Sequence, residues 1–250
     1  ATMFPMLYYR ELLTTDRDAY GIYVQSPFPK ENRRILIGSD VSSRYTRRNR
    51  AEYRKIAGYI ARCVWQRQGN YMVFFPSYRL MEDVLQVYEE EFSVDWVRCV
   101  CQTPDMTEQE REGFLEEFQE REGTLVGFCV LGGIFSEGVD LTGESLIGAV
   151  IVGTGLPQIG SQREILKEYY DKKNHCGFDY AYRYPGMNKV LQAAGRVIRT
   201  KEDKGVILLL DDRFWDRDYQ EIFPREWQDR TGCRLDTVEG AVETFWKRFT

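Results

Sequence analysis

The chain has 250 residues, of which 43% are hydrophobic, enough for one large domain or two small ones. Its formal net charge is −5, from 34 Lys and Arg against 39 Asp and Glu, which argues against a protein that is basic throughout and coats nucleic acid. No signal-peptide pattern, no apolar run near the ~18 residues of a membrane span, and no Cys-x-x-Cys pair occurs. We therefore expect a cytoplasmic protein with free thiols, no membrane contact, and no zinc or iron–sulfur site of its own.

The predicted elements alternate between short apolar strands and amphipathic helices, most regularly from residue 71 onward. In chain order they are a helix at 8–13, strands at 21–24 and 34–37, a helix at 49–67, a strand at 71–75, a helix at 78–92, a strand at 97–101, a helix at 107–121, strands at 125–131 and 149–152, helices around 164–170 and 192–200, a strand at 206–210, and a helical cap at 238–249. Such alternation is typical of βαβ units and predicts an α/β fold whose mostly parallel central sheet is covered on both faces. No linker divides the chain, so we expect one domain over residues 1–250, with a lead-in at 1–48 and a main body at 49–250.

Charge is unevenly spread along the chain. Residues 33–62 hold nine Arg and Lys against two acids, whereas residues 82–122 hold fourteen acids against three Arg. A basic zone on an acidic protein can follow a phosphate backbone. The alternative is that both zones are solvated surface, which we prefer for the acidic one.

The segment 192–200, QAAGRVIRT, carries the most specific chemistry. On a helix at about 100° per residue, Gln192, Arg196 and Arg199 would fall within an arc of about 60°. The opposite, apolar side would consist of Ala193, Ala194, Val197 and Ile198. Two guanidiniums and an amide on one face match phosphate oxygens and are typical of an arginine-finger helix. The alternative is an ordinary amphipathic helix with two solvated arginines.

A second candidate is the loop after the strand predicted at 125–131, since ligands of parallel sheets bind beyond the carboxyl ends of strands. The loop opens with Gly132 and Gly133, which allow tight turns and close approach of the backbone to a ligand. Its polar side chains include Ser136, Glu137 and Asp140. The alternative is a glycine-rich turn that serves packing alone.

The other half of a nucleotide site is missing from the chain. It has neither a G-x-x-x-x-G-K-[ST] phosphate loop nor an Asp-Glu dipeptide of the acidic metal box. Asp211 and Asp212 follow an apolar strand, but we expect them to pair with Arg213 or to cap the next helix rather than to hold magnesium. We therefore predict no metal site, and a chain that supplies arginines to a nucleotide held mainly elsewhere.

Several segments, in order, resemble the motifs of superfamily-two helicases. GGIFSEGVDLTG at 132–143 and QAAGRVIRT at 192–200 are similar to the fifth and sixth motifs, in the S-E-G-x-D and Q-x-x-G-R-x-x-R form of the DinG/XPD branch. The further matching segments are 1–3 with 7–9 (end of the third motif), 74–78 (fourth motif), and 210–214 with 223–227 (tail). The resemblance implies a C-terminal, second RecA-like motor domain, a three-layer α/β/α sandwich that begins just after the third motif. A start at Ala1 rather than at a methionine also suggests a processed form or a piece of a longer protein.

The resemblance assigns roles to individual residues. Gln192, Arg196 and Arg199 would reach the phosphates of ATP, and Gly138 and Asp140 would lie near the nucleotide. Ser136 and Glu137 would couple the nucleotide to the DNA path, and Ser77 and Tyr78 would face single-stranded DNA. The first motor domain of the same polypeptide, absent from this chain, would bring the phosphate loop, the acidic box with its magnesium and, in many members, a four-cysteine iron–sulfur cluster.

The sequence therefore predicts the C-terminal motor domain of an ATP-dependent DNA helicase, moving 5′ to 3′ by analogy with the branch and acting in DNA repair. Alone, the chain would neither hydrolyse ATP appreciably nor unwind DNA. The alternative is a non-catalytic module that binds single-stranded nucleic acid on a RecA-like scaffold, which the basic zone, Ser77 and Tyr78 support equally well. A small-molecule enzyme of Rossmann type is disfavoured, because no strand is followed by G-x-G-x-x-G.

Overall fold

The computed structural model describes residues 4–16, 18–119, 123–135, 141 and 145–249, and its centre is a seven-stranded sheet. The strands are β1 (Arg33–Gly38), β2 (Asn70–Phe75), β3 (Val97–Cys101), β4 (Thr124–Val130), β5 (Gly148–Val152), β6 (Gly205–Leu210) and β7 (Thr231–Cys233). They lie in the order β3-β4-β2-β5-β6-β1-β7, and every pair is parallel. The predicted α/β class with a mostly parallel sheet is confirmed.

The inner strands are apolar on both faces because helices cover both faces of the sheet. All residues of β2, β5 and β6 are buried. At the centre of the sheet Val73 of β2 lies between Phe128 of β4 and Val150 of β5. Such continuous apolar runs, rather than alternating ones, allowed these strands to be predicted from the sequence.

Eight α-helices occur in the described part of the chain. They are α1 (Met6–Leu13), α2 (Arg50–Val64), α3 (Tyr78–Glu91), α4 (Glu108–Glu117), α5 (Ser161–Asn174), α6 (Tyr184–Ala194), α7 (Arg217–Gln220) and α8 (Val238–Trp246), with a π-helical turn at Asp179–Arg183 before α6. Helices α2, α3 and α8 pack on one face of the sheet, and α4, α6 and α7 on the other. These layers confirm the α/β/α sandwich.

Side-chain caps set where several helices begin. Asn49 accepts a hydrogen bond from the backbone N–H of Glu52 and so opens α2. Thr107 and Glu110 form a reciprocal capping box at the start of α4. Because such caps are short-range, the predicted starts of these helices agree with the structure to within one residue.

Two predicted elements are wrong. Residues 21–24 form no strand, and the segment is exposed, with Ile22 84% and Val24 78% accessible to solvent. An exposed segment has no apolar face to bury against a sheet. It also finds no place beside β1, which has β6 on one side and the unpredicted β7 on the other. Residues 33–38, within the predicted lead-in, thus form an inner strand.

The second wrong element is the helix expected to reach residue 200, which ends at Ala194. No helix among those described is long and apolar enough to cross a membrane.

Candidate functional site

Gln192, Arg196 and Arg199 line one cavity of about 570 Å³, next to the middle of β6 and the end of α6. Its wall is completed by aromatic rings and further polar groups. These include Tyr9, Phe28, Arg33, Asn188, Glu226 and Trp227. Guanidinium and amide groups beside aromatic rings in a cavity of this size form a surface suited to a polyanionic ligand that carries a ring.

The backbone brings the two arginines to the cavity by a different path from the predicted one. The N–H of Gly195 donates to the carbonyl of Leu191 at 2.9 Å, and the N–H of Arg196 to that of Ala193 at 3.2 Å, so the helix tightens and stops. Arg196 and Arg199 therefore lie beyond α6, and the prediction of one continuous helix is wrong. The apolar side is confirmed, because its members are buried: Ala193, Ala194, Val197 and Ile198.

Asp203 holds the segment that carries Arg199. Its carboxylate accepts hydrogen bonds from the backbone N–H groups of Arg199 and Thr200, both at 2.7 Å, and from the Thr200 hydroxyl at 2.8 Å. The side chain is only 5% exposed. Sequence reasoning missed Asp203, although the Thr-x-x-Asp spacing, which resembles a capping box, was a readable signal.

The loop after β4 connects β4 with β5, which lie on either side of β2 in the sheet. It leaves the carboxyl end of β4 at Leu131 and returns to the amino end of β5 at Gly148. Gly132 has φ +73°, a left-handed conformation that favours glycine, and a methyl group added to it would lie 2.8 Å from Cε of Lys189 on α6. The predicted site residues of this loop, Ser136, Glu137, Gly138 and Asp140, lie outside the described residues.

Ser77 and Tyr78 lie beyond the carboxyl end of β2, directly after Pro76; the side of the sheet formed by the carboxyl ends of the strands is called its carboxyl edge below. The Ser77 side chain accepts a hydrogen bond from the Leu80 N–H and begins α3. The hydroxyl of Tyr78 accepts from Nε2 of Gln102 at 2.9 Å and donates to the carbonyl of Thr103 at 3.4 Å. Burial raises the pKa of Tyr78. Neither residue lines the arginine cavity, so the predicted site residues form two separate groups.

The arginines of the basic zone are largely paired within the chain. Arg50 contacts Glu90 at 2.7 Å, and Arg54 contacts Glu91, which joins α2 to α3. Arg44 and Arg47 both reach Asp212 at 3.4 Å. The basic and acidic zones of the sequence therefore neutralise each other in part.

Asp211, at the end of β6, is fully buried and ionised. Arg213 donates two hydrogen bonds to its carboxylate, from Nε to Oδ1 at 2.7 Å and from Nη2 to Oδ2 at 2.9 Å. The hydroxyl of Ser43 donates a third, to Oδ2 at 2.6 Å. Burial alone would raise the pKa of Asp211, but Arg213 and Ser43 outweigh it and hold the pKa below its ordinary value. The predicted pairing with Arg213 is confirmed for Asp211, whereas Asp212 pairs with Arg44 and Arg47. No cluster of three metal-ligating side chains occurs in the part of the chain described.

The chain is similar in sequence to known helicases. A family model described as a helicase C-terminal domain matches residues 60–230. A probable ATP-dependent helicase of Methanocaldococcus jannaschii is 29% identical over 206 residues, covering 78% of this chain and 31% of that protein. The ATP-dependent DNA helicase XPD of Sulfolobus acidocaldarius is 30% identical over 189 residues, covering 71% and 31%.

The fold agrees as well. A solved XPD helicase superposes with a TM-score of 0.63 at 24% identity, covering 80% of this chain and 35% of that one. The RecA-like architecture expected from the motifs is thereby confirmed. The chain spans about a third of the length of the curated relatives that it matches.

Proposed function

The chain belongs to the helicase C-terminal domain family, and from this premise we propose that it is the second RecA-like motor domain of an ATP-dependent DNA helicase of the DinG/XPD type. The observation that carries the proposal is the shared cavity of Gln192, Arg196 and Arg199. Its volume of about 570 Å³ lies within the range of about 300–1,000 Å³ typical of small-molecule sites. The lack of a phosphate loop in the sequence supports a site completed by another domain.

In this proposal the first motor domain holds ATP and its magnesium, and the present domain closes over the phosphates. Arg196 and Arg199 act as arginine fingers, which stabilise the charge that spreads over the transferring phosphoryl group. Gln192 assists from the end of α6, and Gly138 and Asp140 lie near the nucleotide. Any iron–sulfur cluster belongs to the first domain, since this chain has no Cys-x-x-Cys pair.

Single-stranded DNA runs, in the same proposal, along the carboxyl edge of the sheet. Ser77, at the N-cap, and Tyr78 begin α3 there, and Ser136 and Glu137 couple the nucleotide to the DNA path. ATP binding closes the two domains, and hydrolysis releases them. A DNA strand bound by both domains is therefore moved stepwise, in the 5′ to 3′ direction. A cytoplasmic protein of DNA repair fits this activity.

The test is the variant Arg199→Ala in the full-length protein. Loss of an arginine finger lowers ATP turnover by about 10³- to 10⁵-fold, while the affinity for ATP changes little, because the first domain supplies most of the binding. Steady-state ATPase rates and titration with a fluorescent ATP analogue measure both quantities. Arg217→Ala is the matched control, since Arg217 is exposed and forms an ion pair with Glu221 at 2.8 Å. Normal turnover in Arg199→Ala would remove Arg199 from this role.

The second candidate function, a non-catalytic module for single-stranded nucleic acid, is favoured by one observation, the position of Ser77 and Tyr78 beyond the carboxyl end of β2. It predicts binding of single-stranded DNA that does not depend on ATP, and no hydrolysis by the full-length protein. ATP hydrolysis by the full-length protein that depends on single-stranded DNA would exclude the non-catalytic module.

A further inference from the structure

The side chain of Gln102 joins the ends of two strands to Tyr78. Gln102 directly follows β3 and is only 3% exposed. Its Nε2 donates to the Tyr78 hydroxyl at 2.9 Å, and its Oε1 accepts from the backbone N–H of Val130 at 3.0 Å. The Val130 donor fixes the orientation of the amide, because a flipped amide would oppose two N–H groups. A buried amide satisfied at both ends has little freedom to move independently of its partners.

On one side, Gln102 supports the turn that follows β4. Val130 is the last residue of β4, and its carbonyl accepts from the N–H of Gly133 at 3.0 Å. A methyl group added to Gly133 would lie 2.9 Å from Nε2 of Gln102. The turn is therefore packed directly on the amide, and a shift of Gln102 must shift the turn.

The same turn contacts the side chain of Lys189 on α6. The Gly132 backbone comes so close to Lys189 that a methyl group there would lie 2.8 Å from Cε and Nζ of Lys189. Gln192, which lines the arginine cavity, lies three residues further along the same helix and so on the same side. An unbroken series of contacts thus connects Tyr78 at the carboxyl edge with the cavity, through Gln102, the turn and α6.

We propose that Gln102 is a positioning residue through which single-stranded DNA at Tyr78 acts on the nucleotide cavity. The inference rests on the proposed function and assigns to one side chain the coupling between its two sites. A strand bound at the start of α3 displaces the ring of Tyr78, the hydroxyl carries Gln102 with it, and the turn after β4 moves against Lys189. Coupling through such a path requires that each group act through the next, which mutant cycles can measure.

The experiment uses the full-length protein and three variants: Gln102→Met, Tyr78→Phe and the double variant. Methionine keeps the length of the glutamine and removes both hydrogen bonds, and phenylalanine removes only the hydroxyl. The readout is the ratio of ATP turnover with a single-stranded oligonucleotide to turnover without it, alongside the Kd of that oligonucleotide by fluorescence anisotropy at fixed salt.

We expect each single variant to lower the ratio about three- to tenfold, and the double variant to lower it no further than Gln102→Met alone. The oligonucleotide Kd of Gln102→Met changes less than twofold, because Gln102 is buried behind Tyr78. Tyr71→Phe is the matched control: its hydroxyl is also buried and bonded, to the carbonyl of Arg67 at 2.7 Å, but at the opposite end of β2. Its ratio should equal that of the wild type.

An unchanged ratio in Gln102→Met, or additive losses in the double variant, would overturn the inference. If Gln102→Met does not fold, Tyr78→Phe decides alone, and an unchanged ratio there overturns it equally. A wild-type protein whose turnover ignores single-stranded DNA would refute the proposed function itself. That outcome is distinguishable, because it appears before any substitution is made.

Discussion

Asp211 is a carboxylate that the protein buries without neutralising. Arg213 and Ser43 supply the hydrogen bonds that water would give, and the opposite charge of Arg213 outweighs the cost of burial. A pair of this kind is strongly coupled: removing one partner leaves the other charge uncompensated. It also holds Ser43, after β1, against the end of β6.

We therefore expect Asp211→Asn to lower the free energy of unfolding by about 3–5 kcal/mol at pH 7. Because the pKa of Asp211 is lower in the folded protein than its unfolded value near 4, the stabilisation is present above about pH 5 and is lost as the pH falls below about 4. Urea denaturation at several pH values measures both effects.

In Asp211→Asn the free energy of unfolding should fall less than in the wild type as the pH is lowered, because the carboxylate that takes up the proton is gone. The control is Asp236→Asn, since Asp236 is exposed and lies 4.0 Å from Arg234. Equal losses in the two variants would contradict the role given to Asp211.

At the scale of elements, the end of α6 and the turn after it decide where the arginines lie. The spacing of Gln192, Arg196 and Arg199 fits one face of a helix, and in the structure the three line one cavity. Sequence reasoning could not place them, because Gly195 is a poor helix former and the β-branched pair Val197 and Ile198 packs on the sheet instead. The rule that ligands lie beyond the carboxyl ends of strands also points to the other edge, since Arg199 precedes the amino end of β6.

The turn from Arg199 to Asp203 gives the next prediction. Asp203→Ala leaves two half-buried backbone N–H groups without their acceptor, which costs about 1–3 kcal/mol of stability. In the full-length protein we expect ATP turnover to fall at least tenfold, because the backbone of Arg199 is no longer fixed. Urea denaturation and steady-state kinetics measure the two losses.

Glu202→Ala is the matched neighbour, since the Glu202 side chain is exposed. Full turnover in a folded Asp203→Ala protein would show that Asp203 serves stability alone. Gln102 escaped sequence reasoning because its partners, Tyr78 and Val130, are distant in the sequence. Asp203 has its partners within four residues, and only its Thr-x-x-Asp spacing distinguished it from a solvated loop residue.

Over the whole molecule, Ser77 and Tyr78 lie beyond the carboxyl end of β2, whereas Arg199 precedes the amino end of β6. Alternation of strands and helices sufficed to predict the sheet, because buried parallel strands are apolar throughout. The order of the strands was not predictable in this way, since β7 has only three residues and no apolar run. This short strand nevertheless occupies the side of β1 that β6 leaves free.

The whole-molecule prediction concerns the isolated chain. Purified residues 1–250 should fold and yet hydrolyse ATP no faster than a buffer blank, because arginines without a phosphate loop cannot hold the nucleotide. Circular dichroism with thermal melting verifies the fold, and a phosphate-release assay measures turnover. Robust ATPase activity that survives in the wild type but vanishes in Arg199→Ala of the same 250 residues would contradict it.

The place of β1 has a consequence for how the chain acquires its structure. Arg33 pairs with Gly205, and Leu36 with Thr231, so the first strand of the sequence has both of its neighbours in the last fifth. A nascent chain has no position for β1 until β6 has been made. Contacts of such long sequence separation slow folding. The strands β2 to β5, which pair among themselves, can assemble earlier, so the beginning of this polypeptide is among the last parts to find its place.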